Sequence, residues 1–414
     1  MTGRSEFPCE AAQKGENGRQ GSSLIGQIVT AAGSRLVLNT GRRFAYPFAP
    51  ALSRGLNVPL TAVTSLIAAM QFTGLLGALS GPLADTWGYR KMMLAALAML
   101  AAGLLAVWVA PVYFVVMAGL ILAGFAKNVF DPAIYGYVGQ RIAFNQRGRA
   151  IGVLEFAWAG SALVGIPLVG ILMEARGWQA PFWMLGCCAI AAMGFILWVF
   201  PKDRVNPNAG QRPDWRRAWS ELVRERQALG LLGFVFFVSL GNDQLFVVYG
   251  AWMEQSFKIG VAAIGLGTGV IGVAELLGEG FTVALGDRIG LRRATLGGSI
   301  LSAAAYGLMP LLNTSISLAL AGLFLVFLTF EFTMVCGISL STEALPRHRA
   351  TMMAAFLAMA GMGRVFGALA GGLLWQVGGI AAVGTACALA ALLGAVCLYW
   401  GKRMKPNPIL DSKI

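Results

Sequence analysis

The chain has 414 residues, 57% hydrophobic and only 12% charged, with a mean hydropathy of +0.69 and a formal net charge of +13. Soluble domains carry about 25% charged residues, so an ordinary water-soluble globule is excluded. The basic excess lies in loops between apolar runs and not on one amphipathic face, which argues against a nucleic-acid partner and for a lipid bilayer as the surroundings.

Residues 1–23 are polar and rich in Gly, Gln and Glu, with no apolar signal core. They are expected to form a disordered cytoplasmic tail. Apolar stretches of about 20 residues then recur to the end, the length that crosses about 30 Å of hydrocarbon. Twelve spans are read, at 24–53, 60–82, 91–110, 112–139, 150–174, 180–200, 229–251, 261–285, 293–311, 316–341, 350–376 and 379–401. The predicted fold is an all-α membrane protein of twelve transmembrane helices in two pseudo-symmetric six-helix bundles. The bundles are placed at 24–200 and 229–401, with a cytoplasmic linker at 201–228 and a cytoplasmic tail at 402–414. The linker holds Lys202, Arg204, Arg212, Arg216, Arg217, Arg224 and Arg226. Its second half is expected to lie on the membrane surface as an amphipathic helix.

Lys and Arg set the orientation. Arg90, Lys91, Arg141, Arg147, Arg149, the linker cluster, Arg288, Arg292, Arg293, Arg347 and Arg349 all fall on one side, against Arg54, Arg176 and Lys258 on the other. Both termini are therefore expected in the cytoplasm, and the chain is expected in a bacterial inner membrane as a multi-pass monomer. Five of the six cysteines lie in apolar spans and none has metal-ligand spacing, so they read as small hydrophobes. His348 sits between two arginines in a predicted loop and reads as a loop charge. No cofactor is expected.

The halves repeat in parallel. Gly81-Pro82-Leu83-Ala84-Asp85-Thr86-Trp87-Gly88-Tyr89-Arg90-Lys91 is answered, 202 residues on, by Leu285-Gly286-Asp287-Arg288-Ile289-Gly290-Leu291-Arg292-Arg293. Parallel repeats about an axis along the membrane normal make each half one wall of a central path. These runs resemble the loop signature of the major facilitator superfamily. Gly81, Leu83, Ala84, Asp85, Gly88 and Arg90 match it, as do Asp287, Arg288, Gly290 and Arg292, whereas Thr86 and Tyr89 depart. The resemblance covers about residues 24–401 and implies a loop that pins neighbouring helices and helps gate alternating access. Gly160-Ser161-Ala162-Leu163-Val164-Gly165-Ile166-Pro167-Leu168-Val169-Gly170 is similar to the fifth-span motif of twelve-span proton-coupled exporters, with its Pro displaced by one position. The Arg that such exporters carry in span four is replaced by Leu120, with Lys127 and Asp131 further along.

Ionised groups in mid-bilayer cost several kcal/mol, so they face a cavity or a partner. Depth along the helices puts Asp131, Asp243, Glu275, Glu279, Glu331 and Arg364 near the midplane. Arg42, Arg43, Tyr46, Lys127, Glu155 and Arg364 are the candidate substrate-binding residues. Glu275, Glu279, Asp243, Glu331 and Asp131 are the candidate proton or ion sites. Glu275 and Glu279, four apart, share a helical face, and one of them is expected to hold a proton. Lys127 and Asp131 have the spacing of a local ion pair. The repeat maps Arg42 onto Asp243, so these two are expected to face each other across the path.

The expected function is secondary transport of a small polar or charged solute by alternating access, coupled to protons and directed outward. Two alternatives stand beside it. One is a transporter of a metal cation or an anionic metabolite that uses the C-half carboxylates. The other is a non-transporting sensor or scaffold, recognisable by a dry interior with every charge paired. The sequence offers no nucleotide-binding loop and no Ser/His/Asp, His-Glu-x-x-His or Cys/His set, so neither ATP-driven pumping nor an enzyme is expected.

Overall fold

A computed structural model describes residues 9–74, 87–142, 144–203, 215–345 and 349–401. Among them the chain is helical, with no strand. The chain is an all-α membrane protein. Eight of the described helices are long and apolar enough to cross a membrane, nine if one bent pair is a single span. One of the eight, Thr351–Trp400, is long enough to cross twice.

Helix α1 runs Cys9–Arg43, so helix enters the stretch expected to be a disordered tail. No proline stands between Pro8 and Pro47, so nothing in that segment forces a break. Pro47 does force one. The chain turns at Phe44–Phe48 and resumes as α2 (Ala49–Leu56), with Pro50 in its first turn. Pro59 then caps α3 (Leu60–Phe72), which is bent 115° from α2. The first predicted span is thus a long helix, a break and a short helix.

Next come α4 (Tyr89–Val109) and α5 (Tyr113–Arg141), the latter with Pro132 inside it. Helix α6 (Phe144–Gly160) passes through a π turn at Ser161–Gly165 into α7 (Ile166–Arg176). Pro167 lacks an N–H for the helical ladder, and the wider turn just before it takes up the mismatch. Helix α8 (Ala180–Val199) closes the first half, and α9 (Trp215–Arg224) occupies the second half of the predicted linker.

The second half contains α10 (Arg226–Phe257), α11 (Val261–Ile289), α12 (Leu291–Leu308), α13 (Ile316–Ala344) and α14 (Arg349–Trp400). Helix α14 is broken at Gly378 and Gly379. Its first part packs along α10 through Gly363, Gly367 and Gly371, and its second part returns against the same helix through Cys387 and Gly394. The two parts are the last two predicted spans.

The repeat is visible in backbone detail. Gly88 and Gly290 both take positive φ (101° and 86°) at the starts of α4 and α12. Gly177 and Gly379, also 202 residues apart, do the same (86° and 55°) at the turns before the last span of each half. Glycine is the residue for which this conformation is cheap. Arg90 donates to the Leu197 carbonyl at 2.6 Å, and Arg292 donates to the Leu398 carbonyl at 2.8 Å. Each motif arginine thus ties the third helix of its half to the end of the sixth. In the first half Asp203 adds a clamp by accepting the Arg90 and Lys91 backbone N–H groups at 2.9 and 3.0 Å. Gly81 and Asp85 lie outside the described residues, as do His348 and the side chain of Asp287. Arg288 is exposed.

The halves meet along two seams. Helix α3 lies on the first part of α14, from Thr64 against Gly372 to Gly74 against Gly361. Helices α6 and α7 lie on α11, closest where the Gly170 and Gly265 backbones touch. At that end Glu174 accepts the Ala262 N–H at 2.8 Å, and Arg54 pairs with Glu254. A side chain at position 265 has no room: an added Cβ would lie 3.2 Å from both the Gly170 Cα and the Ile166 carbonyl. Gly265→Leu is expected to pry this end open. Spin labels at Arg176→Cys and Gln255→Cys, in a background without native cysteines, should report a longer distance in the Gly265→Leu protein.

Candidate functional site

The interior charges are distributed over both halves, and three of their bonds cross between them. Arg43, at the end of α1, reaches Glu275 on α11 with both terminal nitrogens, at 2.6 and 3.1 Å. Both side chains are almost fully buried, at 3% exposure each. Arg43 also donates to the Trp158 carbonyl and the Ser161 hydroxyl at the π turn, and lies 4.2 Å above the Trp158 ring. The helix irregularity made by Pro167 therefore supplies acceptors for Arg43.

Beside it, the break at Phe44–Phe48 delivers Tyr46 to the centre. Its hydroxyl donates to Asp243 of α10 at 2.7 Å, and its ring stacks on Phe246 at 4.5 Å. Gln71 of α3 sits between Arg42 and Tyr46, accepting from Arg42 and donating to Tyr46, with a longer contact to Asp243 at 3.5 Å. Arg42 and Asp243 thus meet through Gln71 and Tyr46, not directly. The charged contact of Asp243 among the described residues is Arg364 of α14, at 3.9 Å.

A third group belongs to the first half alone. Arg35 of α1 binds Asp131 at 3.0 Å, Glu155 at 3.0 Å and the Leu154 carbonyl at 2.7 Å. Lys127 binds the other Asp131 oxygen at 2.7 Å, one helical turn away. Tyr135 donates to Glu155.

The C-half acids do not form one cluster. Asp243 and Glu275 have the partners described. Glu331, on α13, is buried with its Cβ against Gly278 and has no hydrogen bond or ion pair among the described residues. Glu279 is half-buried and likewise unpaired. Among the described residues no three His, Cys, Asp or Glu side chains gather as a metal site would require. The divalent-ion alternative therefore has no ligand set to rest on among them.

A cavity of about 510 Å³ opens between the halves. Arg42, Lys127, Asp131 and Trp158 line it from one half, and Met353, Leu357 and Arg364 from the other. It faces the end of the molecule that carries the basic loops. A second pocket of about 40 Å³ lies deeper, walled by Arg43, Tyr46, Gln71, Asp243, Phe246 and Glu275. Beyond it stand the Gly170–Gly265 seam and the Arg54–Glu254 pair. The deeper pocket thus lies between the larger cavity and that seam.

The Major Facilitator Superfamily model matches residues 31–249 and again 231–413. The chain belongs to the major facilitator superfamily. It is similar to the uncharacterised MFS-type transporter YwfA of Bacillus subtilis, with 24% identity over 317 residues, 76% of this chain and 77% of that one. It is also similar to the class C tetracycline resistance protein of Escherichia coli, at 28% over 256 residues, 59% of this chain and 62% of that one. The class G tetracycline resistance protein of Vibrio anguillarum matches at 28% over 248 residues, 57% and 60%.

Sequence reasoning missed Arg35, Gln71 and Trp158. Arg35 was within reach: Arg35, Asn39, Arg42 and Tyr46 fall on one stripe of a helix at steps of three and four. Gln71 is a lone amide in an apolar run. Trp158 gave no signal apart from its neighbours.

Breaking the Arg43–Glu275 pair leaves one charge buried and uncompensated, a loss of about 3–5 kcal/mol in known cases. Arg43→Met and Glu275→Leu should each lower the thermal unfolding midpoint of the purified protein markedly. The double variant should recover most of that loss, which a thermal double-mutant cycle measures.

Proposed function

We propose that this member of the superfamily is a secondary active transporter that exports a small polar or charged solute in exchange for protons. The observation that carries the reading is the cavity of about 510 Å³ between the two halves, whose floor is made of bonds between them. A floor of that kind can be dismantled and rebuilt as the halves rock, the behaviour expected of paired repeats around a midplane site. A packed scaffold would need neither the space nor the charges.

Proton coupling is supported by Glu275. It is buried, it lies on the C-half, and its only ionic partner among the described residues belongs to the other half. A carboxylate that releases Arg43 on taking a proton links protonation to the separation of the halves. Glu279, one turn away and unpaired, and the buried Glu331 are further stations for the proton. Asp131, held by Arg35 and Lys127 together, is the least suited of the candidate acids.

The outward direction draws on the tetracycline resistance relatives and on the fifth-span motif. With the basic loops in the cytoplasm, the cavity opens to the cytoplasm, the side from which an exporter loads. In this reading both termini are inside, the membrane is a bacterial inner membrane, and the bundles span 24–200 and 229–401.

The test uses proteoliposomes with a pH dye inside and a solute that the protein binds. The wild type should accumulate solute against its gradient when a pH difference is imposed, and move protons in return. Glu275→Gln with Glu279→Gln should keep solute exchange at equilibrium but lose accumulation driven by the pH difference. Undiminished driven accumulation would remove these acids from the coupling step.

A further inference from the structure

Among the described residues around the cavity, one cation stands outside every ion pair. Arg43 is matched by Glu275, and Lys127 and Arg35 share Asp131 and Glu155. Asp243 is contacted by Arg364. Among the described residues Arg42 has no carboxylate within ion-pair distance. It is 7% exposed, its one hydrogen bond to a described residue goes to the neutral Gln71, and its Nε is buried with no partner among them. A guanidinium has five N–H donors and is charged at every physiological pH. Leaving most of them unmet in a buried site is expensive unless a ligand supplies the acceptors.

Arg42 lines both the cavity and the deeper pocket, and so does Arg364 from the other half. They are close enough for their like charges to oppose each other. The single tie on Arg364 is the 3.9 Å contact with Asp243, and a quarter of its side chain is exposed to the cavity. Two guanidinium forks, one from each half, therefore face one space, and of the two only Arg364 is in ion-pair contact with a carboxylate among the described residues. Above them the walls turn apolar: Trp158 on one side, Met353 and Leu357 on the other.

We propose that the solute is an organic anion, held by its carboxylate, sulfonate or phosphate between Arg42 and Arg364, with its carbon skeleton against Trp158, Met353 and Leu357. This rests on the transporter reading and names the class of its cargo. Planar forks suit such groups because each accepts paired N–H bonds. The volume is that of a small-molecule site. The arrangement also gives the anion a mechanical part. Two like charges from opposite halves resist closure of the cavity, and an anion between them removes the resistance, so a loaded carrier closes more readily than an empty one.

The test is equilibrium binding to the purified full-length protein in neutral detergent, with no gradient present. Its outcome is therefore independent of proton coupling and of direction. The compounds are aliphatic and aromatic mono- and dicarboxylates, sulfonates and organic phosphates. Each is paired with its uncharged amide or ester and with an amine of the same skeleton. Thermal shift finds binders and calorimetry measures them. At least one anion should stabilise the wild type while its uncharged partner and its amine do not. Arg42→Gln and Arg364→Gln should each weaken that binding by roughly 10- to 100-fold, the usual worth of a charged hydrogen-bonding group. Arg42→Lys should retain part of it. Arg364→Gln, at a position about a quarter exposed, guards against a folding defect in the Arg42 variant, and both must elute as the wild type does. Binding of amines or neutral compounds but no anion, no binding at all, or anion binding unchanged in both Gln variants would overturn the assignment.

Discussion

Arg43 and Glu275 meet edge to edge in the middle of the protein, each almost wholly out of water, each from a different half. Desolvating two such groups costs several kcal/mol apiece, and their attraction offsets that only with good geometry and further hydrogen bonds. Both conditions hold. The contact uses two nitrogens and two oxygens, and the guanidinium also has a carbonyl, a hydroxyl and a tryptophan face. The hydroxyl comes from the π turn and the carbonyl from the end of α6 just before it, and the π turn sits where it does because Pro167 follows. A small-residue run that reads as helix packing thus also builds the socket for the central charge. The remaining interior polar groups are arranged around this pair: Tyr46 and Gln71 on one side, the Arg35–Asp131–Lys127 set on the other.

The two halves are alike in frame and unlike in chemistry. Repeated glycines with positive φ shape corresponding turns, and repeated arginines tie the third helix to the sixth in each half. None of these touches the cavity. Inside it the correspondence fails. The first half contributes Arg42, Arg43 and Lys127, with Asp131 as its exception, while the second contributes Asp243 and Glu275, with Arg364 as its exception. Symmetry in the frame lets two conformations be of similar energy. Asymmetry in the lining lets the halves attract each other across the path. Duplication accounts for the first property, and only later divergence of the lining accounts for the second.

The spans, the repeat and the membrane setting were legible because hydropathy and residue spacing are local properties of the chain. Lys127 with Asp131 was legible for the same reason, being one helical turn apart. Partners in three dimensions were not. The offset that maps Arg42 onto Asp243 holds for the backbone frame, yet Arg42 turns to Gln71 and leaves Asp243 to Tyr46. The break at Pro47 causes this, since it rotates Tyr46 relative to the arginines before it, and a straight first span would not. Glu275 and Glu279 do lie on adjoining turns, but among the described residues only Glu275 comes within ion-pair distance of a cation. Helix periodicity tells which residues share a face and is silent on what the face meets.

The floor of the cavity is the last consequence of these constraints. Its members are Arg43–Glu275, Tyr46–Asp243 and the Tyr46–Phe246 stack, and each joins one half to the other. A solute crossing the midplane must pass through the same contacts that hold the halves in register. An apolar plug there would have to be exposed to water to open, at a cost that grows with its area. Charged and polar contacts can instead be exchanged: a proton replaces Arg43 on Glu275, and a solute anion or water replaces Tyr46 or Gln71. Each exchange trades one bond for another of similar strength, so its net cost is about that of a single hydrogen bond, roughly 0.5–1.5 kcal/mol, rather than the whole desolvation penalty. Polar residues are expensive to bury in a membrane protein, but at this position they are what makes the barrier removable.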